Sequence, residues 1–145
     1  MSIVVVRAAV VSIGALLLVA CKGSPEGTYK LDKAEMKKSM EADIAKMPEG
    51  DQAMAKLGAG LVDLMDLTLT IKADGKTETV SVIPSLEKGT PPKKETEAGE
   101  WKKDGDSIVL TSAKDKRELK CTSASGKLTC KSDKKGATQV IFVKS

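Results

Sequence analysis

Apolar and polar residues alternate along residues 67–72, Leu-Thr-Leu-Thr-Ile-Lys, and the alternation ends at the turn residues Asp74-Gly75. A period of two predicts a half-buried strand, and glycine supplies the positive φ that a hairpin turn requires. A turn centred on Asp74-Gly75 places Leu69 opposite Val80, so that apolar residues pair. A slip of one residue would put Thr79 there instead, so burial favours the first register.

Beyond this hairpin, alternating segments separated by turns predict five more strands: residues 99–102, 107–111, 117–122, 127–131 and 138–143. Asp104-Gly105 forms the turn between the first two, which places Trp101 opposite Ile108. Residues 84–97 carry no apolar period and are predicted to form a long mobile loop. The last strand is apolar on both faces and needs cover on each side, and we expect the helices to supply the outer cover.

Two amphipathic helices are predicted between a first strand at 27–31 and the hairpin. Asp32 is an N-cap candidate, with Glu35 three residues later as in a capping box. The first helix has an apolar face formed by Met36, Met40, Ile44 and Met47. Asp51 can cap the second helix. The apolar face of this second helix consists of Met54, Leu57, Leu61, Leu64 and Met65. Methionines at helical spacing usually fill a core, although such a face can also serve a partner because it repacks easily.

Cys121 and Cys130 flank Ser125-Gly126, which is a two-residue hairpin turn. Pairing outward from this turn makes the cysteines a non-hydrogen-bonded pair with Cα atoms about 4.5 Å apart. A disulfide accepts Cα separations of about 4.4 to 6.8 Å, so a bridge is predicted without backbone movement. An oxidising, exported compartment favours the bond, and reduced buried thiols or a redox pair are the alternatives.

The N-terminal segment predicts export and lipid attachment. Arg7 precedes an apolar run that ends in small residues, as in a secretory signal peptide. Leu18-Val19-Ala20-Cys21 resembles the lipobox of bacterial lipoprotein precursors, and the resemblance implies that Cys21 is acylated and becomes the mature N-terminus. The alternatives are an ordinary signal peptide and an uncleaved transmembrane helix, which would have to include Arg7.

This resemblance divides the chain into a lipoprotein signal peptide (1–20), a lipid-anchored tether (21–26) and one domain (27–145). More than one acyl chain anchors a protein stably, so we expect permanent attachment to a membrane. Lys22 stands where aspartate would favour inner-membrane retention in some bacteria. The cell envelope is therefore the expected location, with the outer membrane, facing the periplasm, favoured.

Composition argues against several classes of function. The 145 residues include no histidine, which removes the commonest general base and the commonest metal ligand. A net charge of +4 with one Trp, one Tyr and one Phe is too little for a nucleic-acid surface. We find no phosphate-binding glycine loop and no nucleophile motif. We therefore expect no enzymatic activity, metal, cofactor or nucleic-acid partner.

Three sets of side chains remain as candidates beside simpler structural roles. Carboxylate pairs offer acid–base chemistry but lie near a helix end and in a turn, where aspartate is common: Asp63 with Asp66, and Asp104 with Asp106. Methionine thioethers are soft ligands for Cu(I). Lysines could meet anionic lipid or cell-wall polymer, although interspersed acidic residues favour a solvated surface: Lys93, Lys94, Lys131, Lys134 and Lys135.

Together these elements predict an α+β fold, an antiparallel meander of about eight strands that forms a small barrel or strongly curved sheet, with two helices between the first and second strands. Gly27-Thr28-Tyr29, Gly99-Glu100-Trp101 and the segment 104–108 resemble the small lipocalin-like domains of bacterial lipoproteins. Lipocalins proper carry tryptophan where Tyr29 stands, and no ligand-binding residue is carried over from them.

We therefore expect a monomeric, non-enzymatic, lipid-anchored envelope lipoprotein that binds a small apolar ligand or a protein partner. The alternative is a structural envelope component that contacts cell-wall polymer or anionic lipid through its lysines. Salt separates the two, because attachment through lysines weakens steeply with ionic strength. No ligand-binding residue is identified, and the barrel interior is the place to look for one.

Overall fold

The computed structural model describes residues 24–145 except Leu86 and Lys135. The predicted signal peptide and Cys21 lie outside these residues, so export and acylation stay predictions. In the described part of the chain, no helix is both long and apolar enough to cross a bilayer.

Within these residues, eight antiparallel strands form a closed barrel in which each strand pairs with its neighbours in chain order and β1 closes on β8. The strands are β1 (Gly27–Leu31), β2 (Asp66–Ile71), β3 (Lys76–Ile83), β4 (Lys93–Asp104), β5 (Ser107–Ser112), β6 (Glu118–Ala124), β7 (Lys127–Ser132) and β8 (Val140–Lys144). Two helices, α1 (Lys33–Ile44) and α2 (Glu49–Leu61), and a short 3-10 turn (Val62–Leu64) connect β1 to β2. The predicted antiparallel barrel with helices between its first two strands is confirmed.

The start of α1 is fixed by the predicted cap. The Asp32 side chain accepts a hydrogen bond from the backbone N–H of Glu35 at 3.1 Å, which satisfies one of the free donors of the first turn. The backbone N–H of Asp32 donates to the carbonyl oxygen of Ile141 at 2.8 Å rather than to Glu35. This bond ties the helix to β8, whose outward-facing Ile141 is buried.

Both the start of α2 and the direction of its apolar face differ from the prediction. Its N-cap is Pro48, not Asp51, because Pro48 already has the extended conformation that precedes a helix (φ −56°, ψ 146°). The buried residue of this helix is the small Ala59. Met54 and Leu57 are 76% and 69% exposed, so the large apolar side chains face solvent rather than the barrel.

The hairpin of β6 and β7 has the predicted register, with Cys121 opposite Cys130. Ser125 and Gly126 have φ values of 50° and 75°, as a two-residue type I′ turn requires. The cysteines form a disulfide with their Cα atoms 4.0 Å apart, and both are fully buried. The predicted structural disulfide is confirmed.

Two other predicted registers are wrong because of their turns. Leu69 pairs with Thr79 rather than Val80. The turn between β2 and β3 holds three residues, 73–75, and the last of them, Gly75, is left-handed at φ 82°. Three-residue turns of this kind shift the pairing by one residue relative to a two-residue turn.

The second register error lies at the hairpin of β4 and β5. Trp101 pairs with Leu110, not with Ile108. Asp104 pairs with Ser107 across a turn formed by residues 105–106, one position later than predicted. All three apolar side chains nevertheless face the barrel interior.

The apolar core lies on one side of the barrel. Its buried members come from β1, β2 and β5 to β8: Tyr29, Leu69, Ile71, Ile108, Leu110, Cys121, Leu128, Cys130 and Phe142. The Tyr29 hydroxyl donates to the carbonyl oxygen of Pro25 at 2.7 Å, which holds the tether against the barrel. Strand β3 contributes nothing to this core, and β4 contributes only the half-buried Trp101.

Candidate functional site

The interior faces of β3 and β4 are polar. They carry three hydroxyl groups and two carboxylates, from Thr77, Thr79, Ser81, Glu95 and Glu97. Their direction follows from the pairing, because directly opposite residues in adjacent strands share a face. Thr79 lies between the core residue Leu69 on β2 and Glu97 on β4.

This polarity also explains why the predicted mobile loop at 84–97 is wrong. Its last five residues, 93–97, begin β4 and pair with β3. They show no apolar alternation because the residues that face inward are Glu95 and Glu97. A strand that lines open space does not need an apolar face.

These side chains border an open cavity inside the barrel. One part, of about 690 Å³, is lined by Leu67 of β2, Ser81 of β3 and Glu95 of β4 among others. A second part, of about 200 Å³, lies over Leu110 and Leu119 of β5 and β6. Thr79, Glu97 and Ala98 line both parts, so the two are adjacent.

The cavity lining combines apolar and hydroxyl groups. Four leucines flank the polar strands β3 and β4: Leu67 and Leu69 on β2, Leu110 on β5 and Leu119 on β6. Directly beside Leu67 and Leu69, on β3, the hydroxyls of Thr77, Thr79 and Ser81 have no hydrogen-bond partner among the described residues. No buried polar side-chain atom in this part of the chain lacks a partner, so these hydroxyls open onto the cavity. A ligand could therefore meet apolar surface and hydrogen-bonding groups together.

The positive charge of Arg117, which lines the cavity, is already compensated by an ion pair. The guanidinium of Arg117 is hydrogen-bonded to the carboxylate of Asp115. Hydrogen bonds from the Ser112 hydroxyl and from Arg117 lower the pKa of Asp115 to about 2. The carboxylate stays ionised at ordinary pH and compensates the charge of Arg117.

The two interior carboxylates differ in their surroundings. Glu95 lies 2.6 Å from the ammonium group of Lys93. The hydrogen bond and charge of Lys93, with a smaller contribution from Lys114, lower the pKa of Glu95. Glu97 makes no hydrogen bond or ion pair with any described residue. The cavity therefore holds one negative charge without a partner in this part of the protein.

Three of the four carboxylates in the pairs predicted from sequence are ion-paired at the surface. Asp63 and Asp66 each bind a lysine of α1, at 2.7 and 2.8 Å. Asp104 binds Lys120 at 2.9 Å. Among the described residues there is also no group of three or more acidic or cysteine side chains that could hold a metal ion.

The candidate lysines do not form one surface. Lys93 and Lys94 lie on β4, whereas Lys131 lies on β7, and two strands separate them in the barrel. Lys135 lies outside the described residues. The predicted contact with an anionic polymer would therefore involve at most a part of this set at a time.

Sequence reasoning missed every polar residue of the cavity. A usable signal was present, because hydroxyl residues alternate along 77–81 beside an apolar alternation on the preceding strand. A second signal was the repeat of glutamates at 95 and 97. Such a polar alternation within a predicted barrel indicates a strand that lines a cavity or faces solvent.

No protein-family model matches the sequence, and no curated protein matches it. Solved structures with a similar fold include fatty-acid-binding protein 1 of Echinococcus granulosus, at 15% identity and a TM-score of 0.37, covering 82% of this chain and 96% of that one. The fluorescent protein UnaG is 14% identical with a TM-score of 0.35, covering 83% of this chain and 96% of that one. A point mutant of UnaG is 12% identical with a TM-score of 0.39, covering 83% and 95%. These similarities concern the fold.

Proposed function

We propose that this protein binds a small, largely apolar molecule in its barrel cavity and acts as a lipid-anchored, non-enzymatic binding module of the bacterial cell envelope. The observation that supports this proposal is the cavity itself. Small barrels either fill their interior with side chains or hold one small ligand. This barrel does both, because a packed core occupies one side and a cavity of about 690 Å³ lies on the other.

The chemistry of the lining supports an apolar ligand body. Ligand pockets are mostly apolar, with a few polar groups that fix orientation. Leu67 and Leu119 are only half-buried, so a ligand could still remove apolar surface from water there. Each square ångström covered contributes about 25 cal/mol.

A probe titration tests the proposal. The strands and helices of the described residues lie within 27–144, so a chain that starts at Lys22 keeps every one of these elements. The neutral fluorophore N-phenyl-1-naphthylamine should bind this chain with a rise in fluorescence. Ser81→Phe should abolish the signal by filling the cavity, whereas Val82→Phe, on the outer face of the same strand, should not.

Two results would contradict cavity binding. One is a probe affinity that Ser81→Phe leaves unchanged. The other is a signal that disappears with Leu57→Ser, because the probe would then lie on the exposed face of α2 rather than in the barrel. Circular dichroism of each variant shows that the fold is intact.

Lipid attachment and the alternative functions have separate tests. Mass spectrometry of the protein from cells should find acyl chains on Cys21 and no residues before it. Binding of a protein partner through the apolar, methionine-containing faces of α1 and α2 stays a prediction. So does contact with cell-wall polymer through lysines, which salt should abolish.

A further inference from the structure

The charged side chains at the cavity are compensated unequally. Two ion pairs lie at the cavity, Arg117 with Asp115 and Glu95 with Lys93. Lys114 also lines it and lies within electrostatic range of Glu95, without an ion pair to a described residue. One carboxylate that lines both parts of the cavity has no partner in the described chain. It belongs to Glu97.

The carboxylate of Glu97 and the hydroxyl groups beside it on β3 together form a group of hydrogen-bond acceptors. Thr79 is its direct neighbour on β3. Thr77 and Ser81 lie two residues to either side of Thr79 on the same face. A carboxylate only accepts hydrogen bonds, and a hydroxyl oxygen can accept as well as donate. An ammonium group carries three donors and no acceptor, so it complements this set.

We propose that the cavity selects amphiphiles with a cationic end, in which a primary ammonium group binds Glu97 and the hydroxyls of β3 while the apolar body lies along the leucines. This inference rests on the proposed function, since it assumes that the cavity binds a ligand. The ligand class is a single-chain or compact apolar amine.

An amphiphile with an anionic end fits less well. Its carboxylate would need a cation, and the guanidinium of Arg117 is already bound to Asp115. It would also lie near the uncompensated charge of Glu97, which repels it. Lys114 is the one lining cation without an ion pair among the described residues, and it lies within electrostatic range of both the ligand space and Glu95, whose negative charge it partly offsets.

Three ligands with the same ten-carbon chain test the inference: decylammonium, 1-decanol and decanoate. Each is titrated by calorimetry into the chain that starts at Lys22, at pH 7, low salt and below the micelle concentration. Decylammonium should bind about tenfold more tightly than decanol, because a hydrogen bond to a charged group contributes more than one between neutral groups. Screening by added salt should reduce this preference.

Glu97→Gln should lower the affinity for decylammonium about tenfold, to that of decanol, and change the affinity for decanol by less than twofold. The matched control is Glu100→Gln, which removes the same charge from the outer face of the same strand. It should change neither affinity. Both positions are exposed, so neither variant should affect folding.

Equal affinities for decylammonium and decanol, or no effect of Glu97→Gln, would overturn the inference and leave the proposed function standing. Tighter binding of decanoate would overturn it in favour of an anion site at Lys114 or Arg117. If none of the three ligands binds while N-phenyl-1-naphthylamine does, the inference alone is wrong. If the probe also fails to bind, the proposed function is wrong too.

Discussion

Reduction of the Cys121–Cys130 disulfide should lower the free energy of unfolding by about 2.6 kcal/mol. The two cysteines are nine residues apart in sequence. In the chain-entropy model, a closed loop of about nine residues removes roughly 8.7 cal/mol/K from the unfolded state, which is about 2.6 kcal/mol at 25 °C. The short loop keeps this value near the low end of natural disulfides.

The folded state should change little on reduction. Cys121 and Cys130 have no exposed surface, and a free cysteine in such a site behaves as a small apolar residue. The loss should therefore come from the unfolded chain. Replacement of both cysteines by alanine should cost more than reduction, because it also removes two buried sulfur atoms from the core.

Urea unfolding followed by circular dichroism, with and without a reductant, measures the loss. For a domain of this size a change of about 2.6 kcal/mol corresponds to a fall in Tm of about 10 °C. A loss below about 1 kcal/mol would refute the entropic argument for this loop. Identical unfolding of the oxidised and reduced chains would show that the two cysteines are not bonded to each other.

Three further changes test packing and charge. Leu128→Ala, at a site with no exposed surface, should cost about 2–5 kcal/mol, whereas Leu57→Ala on the exposed face of α2 should cost less than about 0.5 kcal/mol in the same urea assay. Gly99→Ala should cost about 1–3 kcal/mol by that assay, because a Cβ would lie 2.6 Å from the backbone oxygen of Thr111. Asp115 has a lowered pKa of about 2, so it stabilises the fold above its unfolded pKa of 3.8 and loses this effect as pH falls towards 2. Asp115→Asn should therefore lower Tm at neutral pH but not at pH 2.

The parts of the fold that sequence predicted correctly are those set by local rules. The register of β6 and β7 follows from a two-residue turn at Ser125-Gly126, and the disulfide then fixes the pair. The start of α1 follows from one side chain, Asp32, and one backbone donor. Neither prediction depends on what lies inside the barrel.

The amphipathic pattern of α2 shows the limit of such rules. Periodicity tells which residues share a face, and it does not tell which way the face points. Here the helix approaches the protein through Ala59, and the large residues Met54 and Leu57 are left in solvent. Only the packing of the whole chain decides between these two orientations.

Two of the remaining errors, the register of β2 with β3 and the loop at 93–97, share a further physical cause beside turn length. Two predictions depend on an apolar inner face of the barrel: the pairing of Leu69 with Val80, and the assignment of residues 93–97 to a loop. It is polar here because β3 and β4 border a cavity. Hydroxyls such as that of Thr79 can be hydrated in open space and so avoid the cost of burying an unpaired polar group.

Stability alone does not account for this polar wall. An apolar inner face on β3 and β4 would extend the core that the other six strands build, and the residues with that character, such as Val80, lie on the outer face instead. Local choices that depart from the folding rules are expected at functional sites. In this chain the wrong register of β2 with β3, the misassigned loop at 93–97 and the unpaired carboxylate of Glu97 all involve β3 or β4. Their coincidence at one cavity is the physical reason to place the function there rather than on the surface lysines.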